Sequence, residues 1–347
     1  MHQKSVRRVT LQDIARQTGY SVNTVSHALR GMPDISAATA ERIRQVARSM
    51  GYAPNQLASS LRSGRTKVIA VILSDMSNPF YGIMTDTIQD CAMKAGYTLM
   101  IMCSRDDPAL EYTLVEQAIS RRVDGILLFP SIHSKPTIQY LRKANIPFVL
   151  MVRYLQQGEA DSVVCDEEMG GYLATHHLLE HGLQKLAYLS EDRIVFSSEY
   201  RIRGFLRACR EMNVSEENHR ICVVSDSDNS PQQSSKNRIF QELLLSLKHE
   251  GFDGLFIFCD AEAWRTMSML QITPGIAPGD FGIVSFDNIE GALSFPVPLC
   301  SVDYNYPEMA RQGLELLRSR IHGDTRPPQT IVCPIHLICR GSCERKT

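Results

Sequence analysis

Two short amphipathic segments separated by a single glycine constrain the fold of this chain more than any other feature. Thr10 and Asp13 form the Thr-x-x-Asp pattern of a capping box, which predicts a helix over about 11–18. Gly19 can end that helix in the left-handed conformation, and Ser21 can cap a second helix directly afterwards. Two helices joined by so tight a turn are typical of a helix-turn-helix.

Charge separates this N-terminal head from the rest of the chain. Residues 1–67 contain 11 Lys and Arg against three acidic residues, a balance of +8, while the remainder is at −9. A compact basic head on an acidic body indicates a polyanionic partner such as nucleic acid. Two alternatives stay open, a solvated charged face and a three-helix cap whose third helix runs from Ser36 to Gly51.

The second helix, predicted over about 22–30, would read the nucleic acid. In a helix-turn-helix it enters the major groove with its N-terminal residues at base edges. Val22 can contact a thymine methyl, Asn23 can bond adenine, and His27 can donate to guanine. Four hydroxyl residues suit phosphate contacts, which position the domain without reading sequence: Thr10, Ser21, Thr24 and Ser26.

From Lys67 onward, apolar strand-like runs alternate with amphipathic helical stretches. The runs are 68–73, 97–103, 125–129, 147–152, 186–189, 221–224, 255–259 and 282–286. Helical stretches between them include 80–95, 110–122, 169–181 and 242–249. This alternation predicts parallel, doubly wound sheets with helices on both faces. Because about 280 residues exceed one such sheet, we expect two lobes.

The sequence argues against other classes of protein. We find no phosphate loop, dinucleotide fingerprint or nucleophile elbow, so we expect no enzyme and no cofactor. No apolar run is long enough to span a membrane, no secretory signal is evident, and the ten cysteines are scattered, which indicates a reduced, cytoplasmic protein. His177 and His181 stand one helical turn apart, but we interpret them as a solvated helix end without cysteine partners and expect no metal.

The run Val-Thr-Leu-Gln-Asp-Ile-Ala-Arg-Gln-Thr-Gly-Tyr-Ser-Val-Asn-Thr-Val-Ser-His-Ala-Leu at 9–29 strongly resembles the headpiece of the LacI/GalR family of bacterial transcriptional regulators. The likeness continues through Gly-Tyr-Ala-Pro-Asn at 51–55. The resemblance implies that Val22 and Asn23 read bases. His27 departs from the family, which usually has Arg there, so the operator is expected to differ at that base.

Residues 53–66 resemble the hinge helix of the same family, with the pattern Asn55-x-x-Ala58-x-x-Leu61. Such a helix is too short to be stable alone. The resemblance implies that it orders on DNA, packs against the hinge of a second subunit, and inserts Leu61 into the minor groove as a wedge that kinks the duplex. The alternative is a plain linker whose Leu61 packs on the body.

The body resembles the two-lobed periplasmic-binding-protein-like domain of these regulators, through motifs such as Asn-Pro-Phe-Tyr at 78–81 and Ser-Phe-Asp-Asn at 285–288. This implies a small-molecule effector between the lobes, at the carboxyl ends of the strands. The expected effector-binding residues are Phe80, Tyr81, Arg153, Ser197, Arg201, Asp260 and Asp287. Val152 and Cys259 depart from sugar-binding members, and Arg153 with Arg201 would suit an anionic ligand, such as an acidic sugar.

We therefore predict an all-α helix-turn-helix headpiece at 1–52, a hinge at 53–66 and an α/β effector-binding and dimerisation domain at 67–347. Its N-lobe would comprise about 67–164 and 302–331, and its C-lobe about 165–301 and 332–347. The expected function is that of a homodimeric repressor of a pseudo-palindromic operator on double-stranded DNA, modulated by a carbohydrate-related effector. The alternatives are a cytoplasmic ligand-binding protein that acts through protein partners and a sugar-processing α/β enzyme.

Overall fold

The computed structural model describes residues 9–53, 64–153, 158–191, 196–224, 233–277, 279–289 and 298–344. The chain forms two compact units, Met1–Thr66 and Lys67–Thr347. The unit boundary coincides with the junction expected between the hinge and the body. The two units are described separately below.

Within residues 9–53, the first unit forms three helices, α1 (Leu11–Thr18), α2 (Val22–Arg30) and α3 (Ala37–Ser49). Both hydrogen bonds of the predicted capping box join Thr10 and Asp13, and Gly19 ends α1 with a φ of 77°. A positive φ is strained for residues with a Cβ, so this turn favours glycine. The small core is built from the faces that the three helices turn toward one another: Ile14, Val25, Ala28, Ala40, Ile43 and Ala47. The helix-turn-helix prediction is confirmed.

The second unit begins with a six-stranded parallel sheet. Its strands are β1 (Val68–Leu73), β2 (Thr98–Cys103), β3 (Gly125–Leu128), β4 (Phe148–Met151), β5 (Ser162–Cys165) and, from much later in the chain, β11 (Thr330–Cys333). The strand order is β11-β5-β4-β3-β1-β2. Helices α4 (Pro79–Lys94) and α11 (Tyr306–Ile321) pack on one face, and α5 (Pro108–Ser120) and α6 (Lys135–Lys143) cover the other.

A second six-stranded sheet forms the other lobe. Its strands are β6 (Leu186–Glu191), β7 (His219–Val224), β8 (Gly254–Ile257), β9 (Gly282–Asp287), β10 (Cys300–Asp303) and β12 (His336–Ile338), in the order β12-β10-β9-β8-β6-β7. Helices α7 (Glu167–Glu180) and α8 (Phe196–Glu211) cover one face, and α9 (Gln233–His249) and α10 (Asp260–Ile272) the other. The expectation of parallel sheets needs one correction, since β12 runs antiparallel to β10.

The chain crosses between the two sheets three times, after β5, after β10 and after β11. The boundaries predicted after residues 164, 301 and 331 fall inside β5, β10 and β11. The strand pairings move these boundaries one or two residues later, because each strand stays in one sheet to its last residue. All three crossings thus leave from the carboxyl ends of strands, where open α/β sheets bind ligands.

Candidate nucleic-acid interface and ligand cleft

The N-terminal half of α2 presents a mixed apolar and amide surface. Val22 is 42 % exposed and Asn23 is also exposed, while Thr24, Ser26 and His27 are half-buried. An exposed Val beside an exposed Asn is suited to a thymine methyl and an adenine edge. Among the residues expected to contact bases, Val22 and Asn23 are therefore the most accessible.

The hydroxyl residues expected at phosphates act first as helix caps. Thr10 donates its hydroxyl to Asp13 Oδ2 at 2.7 Å. Ser21 Oγ accepts the amide of Thr24 at 3.0 Å and lies 2.8 Å from the Thr24 hydroxyl. Ser26 lies one turn before the helix end, where its carbonyl oxygen accepts from Arg30 Nε at 3.1 Å. Because a phosphate oxygen only accepts hydrogen bonds, Thr10 would have to release its proton from Asp13, whereas the single bond between the Ser21 and Thr24 hydroxyls leaves one of their two protons for a phosphate.

His27 is held by an acidic partner that sequence reasoning did not identify. Its Nδ1 lies 2.6 Å from Asp34 Oδ2, in the loop that follows α2. The His27 side chain is 24 % exposed. A carboxylate at one ring nitrogen fixes the orientation of the imidazole and directs the other nitrogen elsewhere. The expected hinge residues Asn55, Ala58 and Leu61 lie outside the described part of the chain.

In the second unit, Arg201 on α8 is 1 % exposed and sits in a network of protein groups. Its Nε donates to Glu167 Oε2 at 2.7 Å, its Nη2 donates to the Tyr304 hydroxyl at 2.7 Å, and its Nη1 donates to the Phe258 carbonyl oxygen. The Tyr304 hydroxyl in turn donates to Glu167 Oε1 at 2.7 Å. Burial alone would lower the pKa of Arg201, but Glu167, Tyr304 and Asp287 together outweigh it and hold that pKa well above its usual value.

The two expected cleft aspartates occupy different surroundings. Asp260 accepts from the Ser285 and Ser301 hydroxyls and from the Ile289 amide, so its carboxylate fixes the segment after β9. Burial nevertheless raises the pKa of Asp260 to about 6. Asp287, the last residue of β9, is 4 % exposed and has a φ of 114°.

Burial likewise raises the pKa of Asp287 well above its usual value, against the attraction of Arg201. Its carbonyl oxygen accepts from the Tyr306 hydroxyl at 2.8 Å. A non-glycine residue at this φ is strained, and backbone strain of this kind clusters at ligand sites. Asp287 therefore remains a candidate ligand contact, whereas the contacts of Asp260 identify it as a support for the cleft loop.

In the other lobe, the backbone of the residue that follows β4 is similarly strained. Val152 has a φ of 70°, which a β-branched residue rarely adopts. Arg153 follows this strained residue directly. Its Nη1 donates to the Pro130 carbonyl oxygen at 3.2 Å and lies 3.5 Å from Asp106 Oδ1. The charge of Arg153 is therefore compensated by a carboxylate at the carboxyl end of the same sheet.

Aromatic rings join the two lobes near these groups. Phe80, at the start of α4, lies with its ring centroid 4.8 Å from that of Tyr304 and 5.1 Å from that of Tyr81. The Arg201 guanidinium lies 3.6 Å from the centroid of the Phe286 ring, and Phe286 meets Tyr304 edge to face with ring centroids 5.2 Å apart. Ser197 is buried one helical turn before Arg201. The structure thus brings Phe80, Tyr81, Ser197, Arg201 and Asp287 to one region.

Sequence reasoning missed two residues that organise this region. Glu167 neutralises Arg201, and Tyr304 bridges both of them at the second crossing between the sheets. Glu167 belongs to an acidic Asp-Glu-Glu run directly after β5, which was the signal available in the sequence. The expectation that two free arginines attract an anion must be corrected, because Glu167 compensates Arg201 and Asp106 compensates Arg153.

The interpretation of His177 as a solvated helix end without cysteine partners was also wrong. His177 is half-buried, and its Nε2 lies 3.1 Å from the Sγ of Cys343. The two residues are far apart in the sequence, so inspection of neighbouring residues could not connect them. His181, by contrast, is exposed and contacts the His177 ring with a centroid distance of 4.2 Å.

Comparison with known proteins gives matches in both units. The family model of bacterial regulatory proteins of the lacI family matches residues 10–55, and the model of the periplasmic binding protein-like domain matches residues 175–343. The HTH-type transcriptional repressor PurR of Vibrio vulnificus (strain CMCP6) is 29% identical over 338 residues, covering 97% of this chain and 99% of the relative. PurR of Aliivibrio salmonicida (strain LFI1238) is 28% identical over 313 residues, which covers 90% of this chain and 92% of the relative.

Solved structures share the architecture. The transcriptional regulator CelR in complex with cellobiose matches with a TM-score of 0.67 and 25% identity, over 96% of this chain and 100% of that chain. The lac repressor dimer bound to operator and the anti-inducer ONPF matches with a TM-score of 0.80 at 20% identity, over 97% and 100%. Among the residues that the structure describes, no helix has both the length and the apolarity needed to cross a membrane.

Proposed function

This chain belongs to the LacI/GalR family of bacterial transcriptional regulators, and from that premise we propose that it represses transcription by binding an operator through its headpiece. The observation that supports this most directly is the exposed Val22–Asn23 pair at the start of α2. The surrounding head has a charge of +8, which favours association with the phosphate backbone. Base contacts by Val22, Asn23 and His27 then supply sequence specificity.

The effector that modulates this binding is proposed to be an uncharged small molecule rich in hydroxyl groups. Both cleft arginines are compensated, and the nearby Asp287 adds carboxyl oxygens rather than positive charge. Among the described residues, three of the five N–H groups of Arg201 donate to protein acceptors, and the others would donate to a ligand hydroxyl. The aromatic rings of Phe80 and Tyr81 provide an apolar surface of the type on which sugar rings rest.

Thermal unfolding in the presence of neutral and acidic sugars tests this proposal. Neutral sugars that bind should raise the unfolding temperature and change operator affinity, and Asp287→Asn should weaken both effects. Stabilisation by acidic sugars alone would contradict the charge argument.

We further propose that the working form is a homodimer that pairs through both lobes. One of the two edge strands of each sheet exposes large apolar side chains, with Ile101 on β2 at 45% and Ile221 on β7 at 39%. Exposed apolar edge strands are liabilities unless another surface covers them. Ile101→Lys and Ile221→Lys should therefore give monomers in sedimentation, while Ile272→Lys, at a 71% exposed position on α10, should not.

Effector binding is proposed to change the relative position of the lobes and thereby the order of the hinge helix at 53–66. Leu61→Ala should then weaken specific operator binding while leaving the salt-dependent, non-specific binding nearly unchanged. Equal losses in both would contradict the assignment of Leu61 as a wedge. The bacterial cytoplasm, with the protein on the nucleoid when DNA-bound, is the compartment in which this function would operate.

The decisive test of repressor function is selection of bound duplexes from a random library, with and without candidate effectors. Enrichment of a pseudo-palindrome, bound with a steep salt dependence, is the expected result. Absence of enrichment under every condition would refute the proposed function.

A further inference from the structure

Four potential metal ligands from three distant parts of the chain converge beside the second sheet. They are His177 on α7, Cys300 at the start of β10, and Cys339 and Cys343 in the segment after β12. All four donor atoms lie within 4.8 Å of one another. Cys300 and Cys343 are fully buried, His177 is half-buried and Cys339 is exposed, so one side of the cluster is accessible from solvent.

Two separations between sulfur atoms match those around a tetrahedral ion. Cys300 Sγ lies 3.8 Å from Cys339 Sγ and 3.6 Å from Cys343 Sγ. Zinc–sulfur bonds of about 2.3 Å at tetrahedral angles place two sulfurs about 3.8 Å apart, and a zinc–nitrogen bond of about 2.0–2.1 Å places a nitrogen about 3.6 Å from each sulfur. The observed 3.1 Å from His177 Nε2 to Cys343 Sγ requires only a small side-chain adjustment.

Two contacts that do not involve the four ligand side chains fix the backbone around the cluster. Ser342 Oγ accepts from the Cys300 amide at 2.7 Å and donates to the Ile283 carbonyl oxygen at 2.6 Å. A Cβ at Gly282 would lie 2.9 Å from the Cys343 carbonyl oxygen, so this glycine permits the close approach of the C-terminal segment. Arg340 also donates its amide to Cys300 Sγ at 3.1 Å, as second-sphere donors do to thiolate ligands.

We propose that His177, Cys300, Cys339 and Cys343 bind one Zn²⁺ ion in a tetrahedral Cys₃His site. The donor set favours zinc because thiolate and imidazole ligands in this geometry are typical of structural zinc sites. A disulfide is a weaker explanation of the cluster, because the sulfur separations are nearly twice a disulfide bond of about 2.05 Å. Simple core packing accounts for Cys300 and Cys343 but not for the exposed Cys339 in the same cluster.

The site is separate from the effector cleft. Cys300 is the first residue of β10, while the cleft lies at the carboxyl ends of the strands. An ion here would tie the C-terminal segment to β10 and α7. Through Arg340, whose Nη2 donates to Asn288 Oδ1 at 2.6 Å, that segment also supports the loop next to Asp287.

Zinc titration of the full-length reduced protein, in competition with a chromophoric chelator, tests the proposal. We expect one Zn²⁺ per chain. Cys339→Ser is the first variant, because this exposed residue can change without disturbing the core, and it should weaken the affinity by at least about 100-fold, beyond the loss caused by second-sphere changes. His181→Gln and Cys91→Ser are matched controls at a neighbouring histidine and a cysteine elsewhere, and both should bind zinc like the wild type.

Cobalt(II) substitution provides a readout that does not depend on stability. The wild type should show the visible ligand-field bands of tetrahedral cobalt and sulfur-to-cobalt charge transfer, and His177→Gln should shift the former while keeping the latter. Binding that survives Cys339→Ser unchanged, or octahedral cobalt spectra, would overturn the proposal. A pair of results would also overturn it: mass spectrometry shows disulfides among the cluster cysteines in protein isolated without reductant, and the reduced protein takes up no zinc.

Discussion

Replacing Gly204 with alanine tests whether the close approach of α7 and α8 holds the Arg201 network in place. An ideal Cβ at Gly204 would lie 2.0 Å from the Glu168 carbonyl oxygen and 2.5 Å from the Tyr172 amide nitrogen. Both atoms belong to the backbone of α7, so no side-chain rotation can relieve the overlap. Arg201 lies one turn before Gly204 on α8, and its partner Glu167 lies at the start of α7.

The expected cost follows from this geometry. Ordinary contact needs about 3.5 Å, so the helices must separate locally by about 1.5 Å. Overpacking of this kind costs about 1–3 kcal/mol, and we expect about 3 kcal/mol because backbone faces backbone. Alanine returns about 1 kcal/mol of helix propensity relative to glycine. The net loss in the free energy of unfolding should therefore be about 2 kcal/mol.

Urea unfolding followed by the fluorescence of Trp264, the single tryptophan, measures this loss in the second unit. Gly82→Ala is the matched control, because Gly82 is exposed on α4 and a Cβ there meets no atom within 4 Å. It should be neutral or stabilise by up to about 1 kcal/mol. If Gly204→Ala behaves like Gly82→Ala, the close helix contact does not constrain the network and the reasoning fails.

Three further substitutions test the headpiece and the buried ion pair. Asn23→Ala should relax the preference for one base pair in each half-site by about 1–3 kcal/mol, measured against operators with single substitutions; an unchanged preference would exclude a base contact. Asp34→Ala should weaken specific binding because His27 loses its orientation, and the dependence of operator affinity on salt concentration should stay unchanged. A changed salt dependence would instead indicate that His27 contacts a phosphate. Glu167→Gln should destabilise the second unit by about 3–5 kcal/mol in the Trp264 assay, whereas adding Arg201→Met should recover much of that loss; no recovery would mean that the pair contributes net stability.

The headpiece could be predicted almost residue by residue because its signals are local. The capping box at Thr10, the left-handed Gly19 and the cap at Ser21 lie within one turn of the helix ends that they define. The predicted helices over 11–18 and 22–30 agree with the observed α1 and α2. Local hydrogen bonds need no information from distant residues, which is why short sequence patterns suffice here.

In the body, elements whose stability comes from tertiary packing were harder to predict. The strands at 162–165, 300–303, 330–333 and 336–338 were not among the predicted runs. They are three or four residues long, and two of their pairings, β11 with β5 and β12 with β10, join segments far apart in the chain. Helix α9 begins at Gln233 rather than near residue 242, because its first two turns are mostly polar and lack an apolar stripe. Short strands and polar helix ends give weak periodic signals.

In the candidate sites, too, local motifs could be recognised in the sequence and long-range contacts could not. Family motifs indicated Arg201 and Asp287, but the partners Glu167 and Tyr304 are 34 and 103 residues from Arg201. The zinc ligands are more widely spaced still, with 166 residues between His177 and Cys343. Contacts over such separations exist only once the sheet order is known, so one sequence without its fold cannot reveal them.

The two units use charge in opposite ways. In the body, the buried Arg201 and the half-buried Arg320 each have a carboxylate oxygen within 2.7 Å, and the low exposure of these groups weakens the screening of both pairs by salt. In the headpiece, most arginines are exposed and the ion pairs Arg16–Asp13 and Arg44–Glu41 are long, at 3.8 and 3.5 Å. Exposed charge of this kind responds strongly to ionic strength and to polyanions. We therefore expect the affinity for operator DNA to depend strongly on salt and the affinity for the effector to depend on it only weakly. A change in ionic strength would then alter DNA binding without altering the response to the effector.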